Sequence, residues 1–158
     1  MTEKQFPVHC WLSRMWDTEA QIEQKIGYRD KLNSWGVGQY DAEHVSSRTG
    51  ENTSETKYLE YTVLSEEIEK KITEYLYQNR RTEAVIGNVT NNLYRNILFD
   101  WYINHKKWNE LCRTYNYGKS QLYSIRQKAL DAVAPFIPKG EATEDNKFVS
   151  LKYYQSAE

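Results

Sequence analysis

Residues 92–133, Asn92-Leu-Tyr-Arg-Asn-Ile-Leu-Phe-Asp-Trp-Tyr-Ile-Asn-His-Lys-Lys-Trp-Asn-Glu-Leu-Cys-Arg-Thr-Tyr-Asn-Tyr-Gly-Lys-Ser-Gln-Leu-Tyr-Ser-Ile-Arg-Gln-Lys-Ala-Leu-Asp-Ala-Val133, decide how this chain is read. Their apolar residues form three runs at helical spacing. Leu93, Ile97, Leu98, Trp101 and Tyr102 make the first, and Trp108, Leu111 and Cys112 the second. Leu122, Ile125, Ala129, Leu130 and Val133 make the third. Between the second and third lies Tyr115-Asn116-Tyr117-Gly118. Asn tolerates the left-handed backbone region and Gly is permissive anywhere. Two short helices joined by a turn of this length describe a helix-turn-helix.

Charge is distributed to suit that reading. The whole chain carries a formal net charge of −1. Residues 92–132 hold seven cations (Arg95, Lys106, Lys107, Arg113, Lys119, Arg126, Lys128) against Asp100, Glu110 and Asp131. The basic excess therefore falls on the three-helix stretch and the acidic excess on the rest, the expected footprint of a nucleic-acid-binding unit.

Working outward, residues 1–10 read as loosely ordered. Leu12, Met15, Trp16, Ile22, Ile26 and Leu32 repeat at helical spacing, predicting an amphipathic helix from Trp11 to about Trp35, with Gly36 as its stop. Residues 36–56 are rich in Gly, Ser and Thr without periodicity and read as a mobile loop. His44 lies there with no partner at metal-ligand spacing. A second long helix is expected from about Glu55 to Val89, on a stripe of Tyr61, Leu64, Ile68, Ile72, Tyr75, Ile86 and Val89. Asn79 and Thr82 weaken that stripe. The two helices are expected to form a coiled-coil-like hairpin over residues 11–89, and the run Glu66 to Lys71 reads as a solvated face. Asn residues near 91–92 cap the next helix, and Pro135 and Pro138 end the last one. The tail, residues 139–158, begins polar and acidic (Glu141, Glu144, Asp145) and reads as flexible, though Phe148 to Tyr154 is apolar enough to dock. The fold class is thus all-α: two long helices forming a hairpin, followed by a C-terminal three-helix helix-turn-helix unit over 92–133.

Several function classes lack their signatures. There is no Gly-rich phosphate loop, no His-Glu-x-x-His pair and no Gly-x-Ser-x-Gly elbow. The three His, 9, 44 and 105, have no nucleophile or carboxylate partner in sequence. Cys10 and Cys112 make neither a disulfide framework nor a metal pattern; Cys112 is expected as a small buried thiol at the helix crossing. No apolar run is long enough to span a membrane, and the N-terminus lacks signal-peptide anatomy. The expectation is a cytoplasmic, non-enzymatic protein without cofactor or metal. On the third helix, with Leu122, Ile125, Ala129 and Leu130 inward, Ser120, Tyr123, Ser124, Gln127 and Lys128 turn outward, flanked by Lys119 and Gln121. These are hydroxyls, amides and amines with no acid before Asp131, the donors that base edges and phosphates need. Lys119, Ser120, Gln121, Tyr123, Ser124 and Gln127 are the base-proximal candidates. Lys106, Lys107, Arg113, Arg126 and Lys128 are the phosphate candidates.

The segment Arg95-Asn-Ile-Leu-Phe-Asp-Trp-Tyr-Ile103, then Lys107-Trp108-Asn-Glu110-Leu111, Tyr117, and Arg126-Gln-Lys128-Ala129-Leu130 resembles the phage and prophage late-gene regulators of the ArpU and RinA type. Their C-terminal part is similar to the fourth domain of bacterial sigma factors. The resemblance is strongest over 95–130 and looser upstream, from Trp11-Leu-Ser-Arg-Met15. Where those proteins usually have Ser opening the recognition helix, Gly in the turn and Ala at the helix crossing, this chain has Gly118, Asn116 and Cys112. The resemblance implies a sequence-specific, double-stranded-DNA-binding regulator of late genes. The hairpin would serve dimerisation or contact with RNA polymerase. The alternatives are a terminase small subunit that initiates DNA packaging, or a phage protein-binding module that inhibits or redirects a host protein.

Overall fold

In the computed structural model, residues 1–34 and 53–142 are described. The chain is all-α: two long helices packed as a hairpin precede three shorter packed helices, with no strand among the described residues. Helix α1 spans Gln5–Leu32 and α2 Thr53–Gly87. Helix α3 spans Asn92–Leu98, α4 Trp108–Tyr115 and α5 Lys119–Val133, with a 3-10 turn at Ala134–Phe136. The expected loop and helix stop around 35–52, His44, and the tail from 143 with its Phe148–Tyr154 stretch lie outside the described residues.

The N-terminus departs from expectation. Residues 1–10 are not loose: α1 begins at Gln5, and Gln5, Val8, His9 and Cys10 are buried. Pro7 is tolerated because the first-turn N–H groups of a helix have no intrahelical acceptor to lose. The Gln5 and Phe6 N–H groups instead donate to the Thr2 carbonyl at 3.0 and 3.1 Å.

The chain forms two compact units, and their boundary differs from the 11–89, 92–133 and 139–158 division read from sequence. One unit comprises Met1–Asp17 with the chain from Leu76 onward; the other is Thr18–Tyr75. In the second, α1 and α2 run antiparallel around a small core of Leu32 and Leu64, with Tyr61 packed on it. A Lys25–Glu67 ion pair at 2.7 Å and a Tyr28–Glu60 hydrogen bond flank that core. Ile72 of the expected stripe is 40% exposed.

In the first unit the start of α1 enters the core of the three short helices. Gln5 Nε2 donates to Asp131 Oδ1 (2.8 Å) and to the Gln127 carbonyl (3.2 Å), both on α5. Tyr102 is fully buried, with its hydroxyl 2.7 Å from His9 Nδ1 and its ring stacked on Trp16. Its carbonyl accepts the Trp16 indole N–H at 3.0 Å. One of the polar interruptions in the α2 stripe, Thr82, also has a partner. Arg14 donates to the Thr82 hydroxyl (3.0 Å) and the Gln78 carbonyl (3.3 Å), with its guanidinium 3.7 Å above the centre of the Trp11 ring. Burial, then the nearby Arg81, lower its pKa to about 10. The beginning of the acidic tail is anchored here as well: Glu141 accepts from the Trp11 indole (3.1 Å) and from Arg81 (2.8 Å).

Candidate nucleic-acid interface

Asn91 caps α3, its side chain accepting from the Tyr94 N–H at 3.2 Å. Helix α3 then widens into one π turn, Phe99–Ile103, where the Asn104 N–H reaches the Phe99 carbonyl. The wide turn sits where two adjacent large aromatics bury in different directions, Trp101 toward α4 and α5 and Tyr102 toward α1. The helical run is broken at His105, left-handed at φ 53°, with the Lys106 N–H bonded back to the Asp100 carbonyl.

Asp100 holds this corner. Its carboxylate accepts from Asn104 (2.9 Å), from the Tyr115 hydroxyl on α4 (2.7 Å) and from Lys106 (3.0 Å). Burial alone would raise its pKa, but the three donors together outweigh that and hold it below the usual carboxylate range. Burial, and then the bond to Asp100, push the Tyr115 hydroxyl upward. A depressed folded-state pKa means this stabilisation is complete above the unfolded value, roughly 4. It is lost as pH falls through the lower folded value. Asp100→Asn should cost about 2 kcal/mol at neutral pH, the worth of hydrogen bonds to a charge. It should also flatten the acid limb of a urea-denaturation series measured from pH 6 down to 2.

Helix α4 begins with half of a capping box: Glu110 accepts from the Lys107 N–H at 3.1 Å, which gives Glu110 a physical role in the segment Lys107-Trp108-Asn-Glu110. It ends at Asn116, left-handed at φ 56° and ψ 44° as the turn reading requires, its N–H bonded to the Cys112 carbonyl. Cys112 is only half-buried, a correction to its expected burial; Leu111 beside it takes the fully buried position. Asn116→Val should cost about 1–2 kcal/mol of stability by thermal unfolding, the left-handed penalty for a side chain without local hydrogen bonds. Asn116→Gly should be near neutral.

Gly118 opens α5 in extended conformation, its N–H donating to the Gln121 side-chain carbonyl at 3.3 Å. Gln121 therefore has a capping task besides any contact with a ligand. On α5 and its flank Lys119, Ser120, Gln121, Ser124 and Lys128 are exposed, and Tyr123 and Gln127 are half-buried. Lys107 and Arg113 are exposed on α4 and its cap. Two phosphate candidates are differently engaged. Lys106 is paired with Asp100. Arg126 is corrected outright: it is 2% exposed, with its guanidinium 5.4–5.5 Å from the ring centres of Trp101, Trp108 and Tyr123. The core stripe is Leu122, Arg126, Ala129, Leu130 and Val133, while Ile125 is only half-buried. The spacing could have shown this, because Arg126 lies four residues after Leu122 and three before Ala129.

Among the described residues no group of three or more His, Cys, Asp or Glu is arranged to hold a metal ion. Nor is any described helix long and apolar enough to cross a membrane. No curated protein and no solved structure matches the chain. Residues 37–134, more than half of the chain and including all of α2 to α5, match the family described as Protein of unknown function (DUF1492). The chain belongs to that DUF1492 family.

Proposed function

We propose that this protein is a sequence-specific double-stranded-DNA-binding regulator of phage or prophage genes. In this reading α5 is the recognition helix and α4 rests against the DNA backbone. One observation carries it: the outer face of α5 from Lys119 to Lys128 presents amines, hydroxyls and amides without a single acid. An ordinary solvated helix mixes in Glu, whereas base edges and phosphates select for donors. Lys107, Arg113, Lys119 and Lys128 are exposed cations on α4, its cap and α5. The resemblance to ArpU- and RinA-type late regulators supports the biological setting. No catalytic or cofactor role is proposed.

The test is duplex binding across a salt series, wild type beside Lys119→Ala/Gln121→Ala. The expected result is one preferred sequence held at physiological salt with a steep salt dependence, and loss of that preference in the double variant. Wild type that holds no duplex even at low salt sinks the proposal. The protein-binding alternative has its own observation. Tyr58, Leu59 and Val63 on α2 are 53, 57 and 52% exposed, an apolar surface of the kind partners cover. Stoichiometric capture of a host protein by a chain that binds no DNA would select it.

A further inference from the structure

Tyr123 and Arg126 stand one turn apart on α5, at positions that touch along a helix. Arg is among the residues least often buried, and desolvating its charge costs several kcal/mol unless the surroundings compensate. Here they do so with aromatic faces. The guanidinium carbon is 5.5 Å from the Tyr123 ring centre, 5.5 Å from that of Trp108 and 5.4 Å from that of Trp101. Ring quadrupoles attract a cation at this range, more strongly when water is excluded. Trp101 and Trp108 meet edge to face at 5.2 Å, and Trp108 and Tyr123 are 4.5 Å apart between centres. Three rings and one planar cation thus form a single packed cluster under the proposed recognition helix.

Of those rings only Tyr123 reaches the surface: Trp101 and Trp108 are buried, and Tyr123 is half-buried. It shares its helix face with Ser120, Ser124 and Gln127. A ring braced by Arg126 and Trp108 has little rotamer freedom left to lose on binding, which is how preorganised contacts gain affinity. It is also the one apolar element in a strip of hydroxyls and amides. The apolar group that the DNA major groove offers is the thymine C5-methyl. We propose that Tyr123 is a specificity-determining residue that contacts a thymine methyl group, and that Arg126 is the positioning residue that holds its ring there. This rests on the DNA-binding reading above.

The experiment uses the full chain and the duplex sequence that wild type enriches from a random pool. Each thymine is replaced singly by uracil, which removes only the methyl group. Wild type should lose about fourfold in affinity at one thymine, the worth of one buried methyl. Tyr123→Ala, which removes the ring at a half-buried position, should bind the thymine and uracil duplexes equally. Arg126→Met, and Arg126→Lys as its partner variant, should lose the same thymine preference while keeping the wild-type salt slope. A purely structural role would not separate those readouts. If wild type enriches no sequence, the DNA-binding reading itself fails and takes this inference with it. Enrichment with no uracil-sensitive thymine overturns the role of Tyr123 alone. If both Arg126 variants keep the wild-type preference, or both fail to fold, the positioning role is overturned.

Discussion

Tyr102→Ala should lower the free energy of unfolding by about 3–5 kcal/mol, the range for truncating a large buried aromatic. The side chain is fully buried and joins two parts of one compact unit that are far apart in sequence. Its hydroxyl meets His9, its ring stacks on Trp16 at 5.6 Å, and its carbonyl accepts from the Trp16 indole N–H. Truncation leaves a cavity and removes the hydroxyl's contact with His9 at once. Tyr102→Phe keeps the ring and should cost only about 1 kcal/mol, the net worth of one hydrogen bond. Equilibrium denaturation in urea measures both. Hydrogen exchange should add a spatial signature: amides of the first three turns of α1 lose protection in the Ala variant before those of α5 do. A cost below about 1 kcal/mol for Tyr102→Ala would mean that the start of α1 is not held to the short helices through this residue.

The second large effect is expected on binding rather than stability. Lys107→Ala/Arg113→Ala/Lys128→Ala removes three exposed cations from α4, its cap and α5. If each meets one phosphate, the slope of log K against log salt falls by about 0.9 per cation, roughly 2.7 in all. The weakening should be uniform across sequences, because phosphates position a protein without carrying sequence information. Thermal stability should move by less than about 0.5 kcal/mol per site, since surface substitutions away from special features are nearly neutral. An unchanged slope in a folded triple variant would remove these residues from the interface. Arg126→Met is the matched contrast, because a cation enclosed by aromatic rings meets no phosphate and contributes nothing to the slope.

Most of the candidate interface was readable in the linear chain, because helical period alone assigns faces. Lys119, Ser120, Gln121, Ser124 and Lys128 are exposed where the period of α5 puts them, and Asn116 adopts the left-handed backbone that the turn demanded. Residue type and register disagree at Arg126: charge argues for solvent, register with Leu122 and Ala129 argues for the core, and the residue is buried. Lys106 and Gln121 each have a contact that the linear sequence does not show. Their contacts with Asp100 and with the Gly118 N–H depend on how the chain turns at His105 and Gly118.

The sequence by itself determined the all-α class, the two long helices and the three short ones, and the place and backbone hand of the turn between α4 and α5. These follow from period, caps and turn chemistry, which act over a few residues. Only the tertiary structure decided that α1 begins at Gln5 and completes the core of the short helices. The same holds for Thr82 and Gln78, which accept from the half-buried Arg14, and for Glu141, which fastens the chain after α5 to Trp11 and Arg81. Those contacts join residues tens of positions apart. A polar residue at a core position looks like a defect until the partner that satisfies its hydrogen bonds is in place.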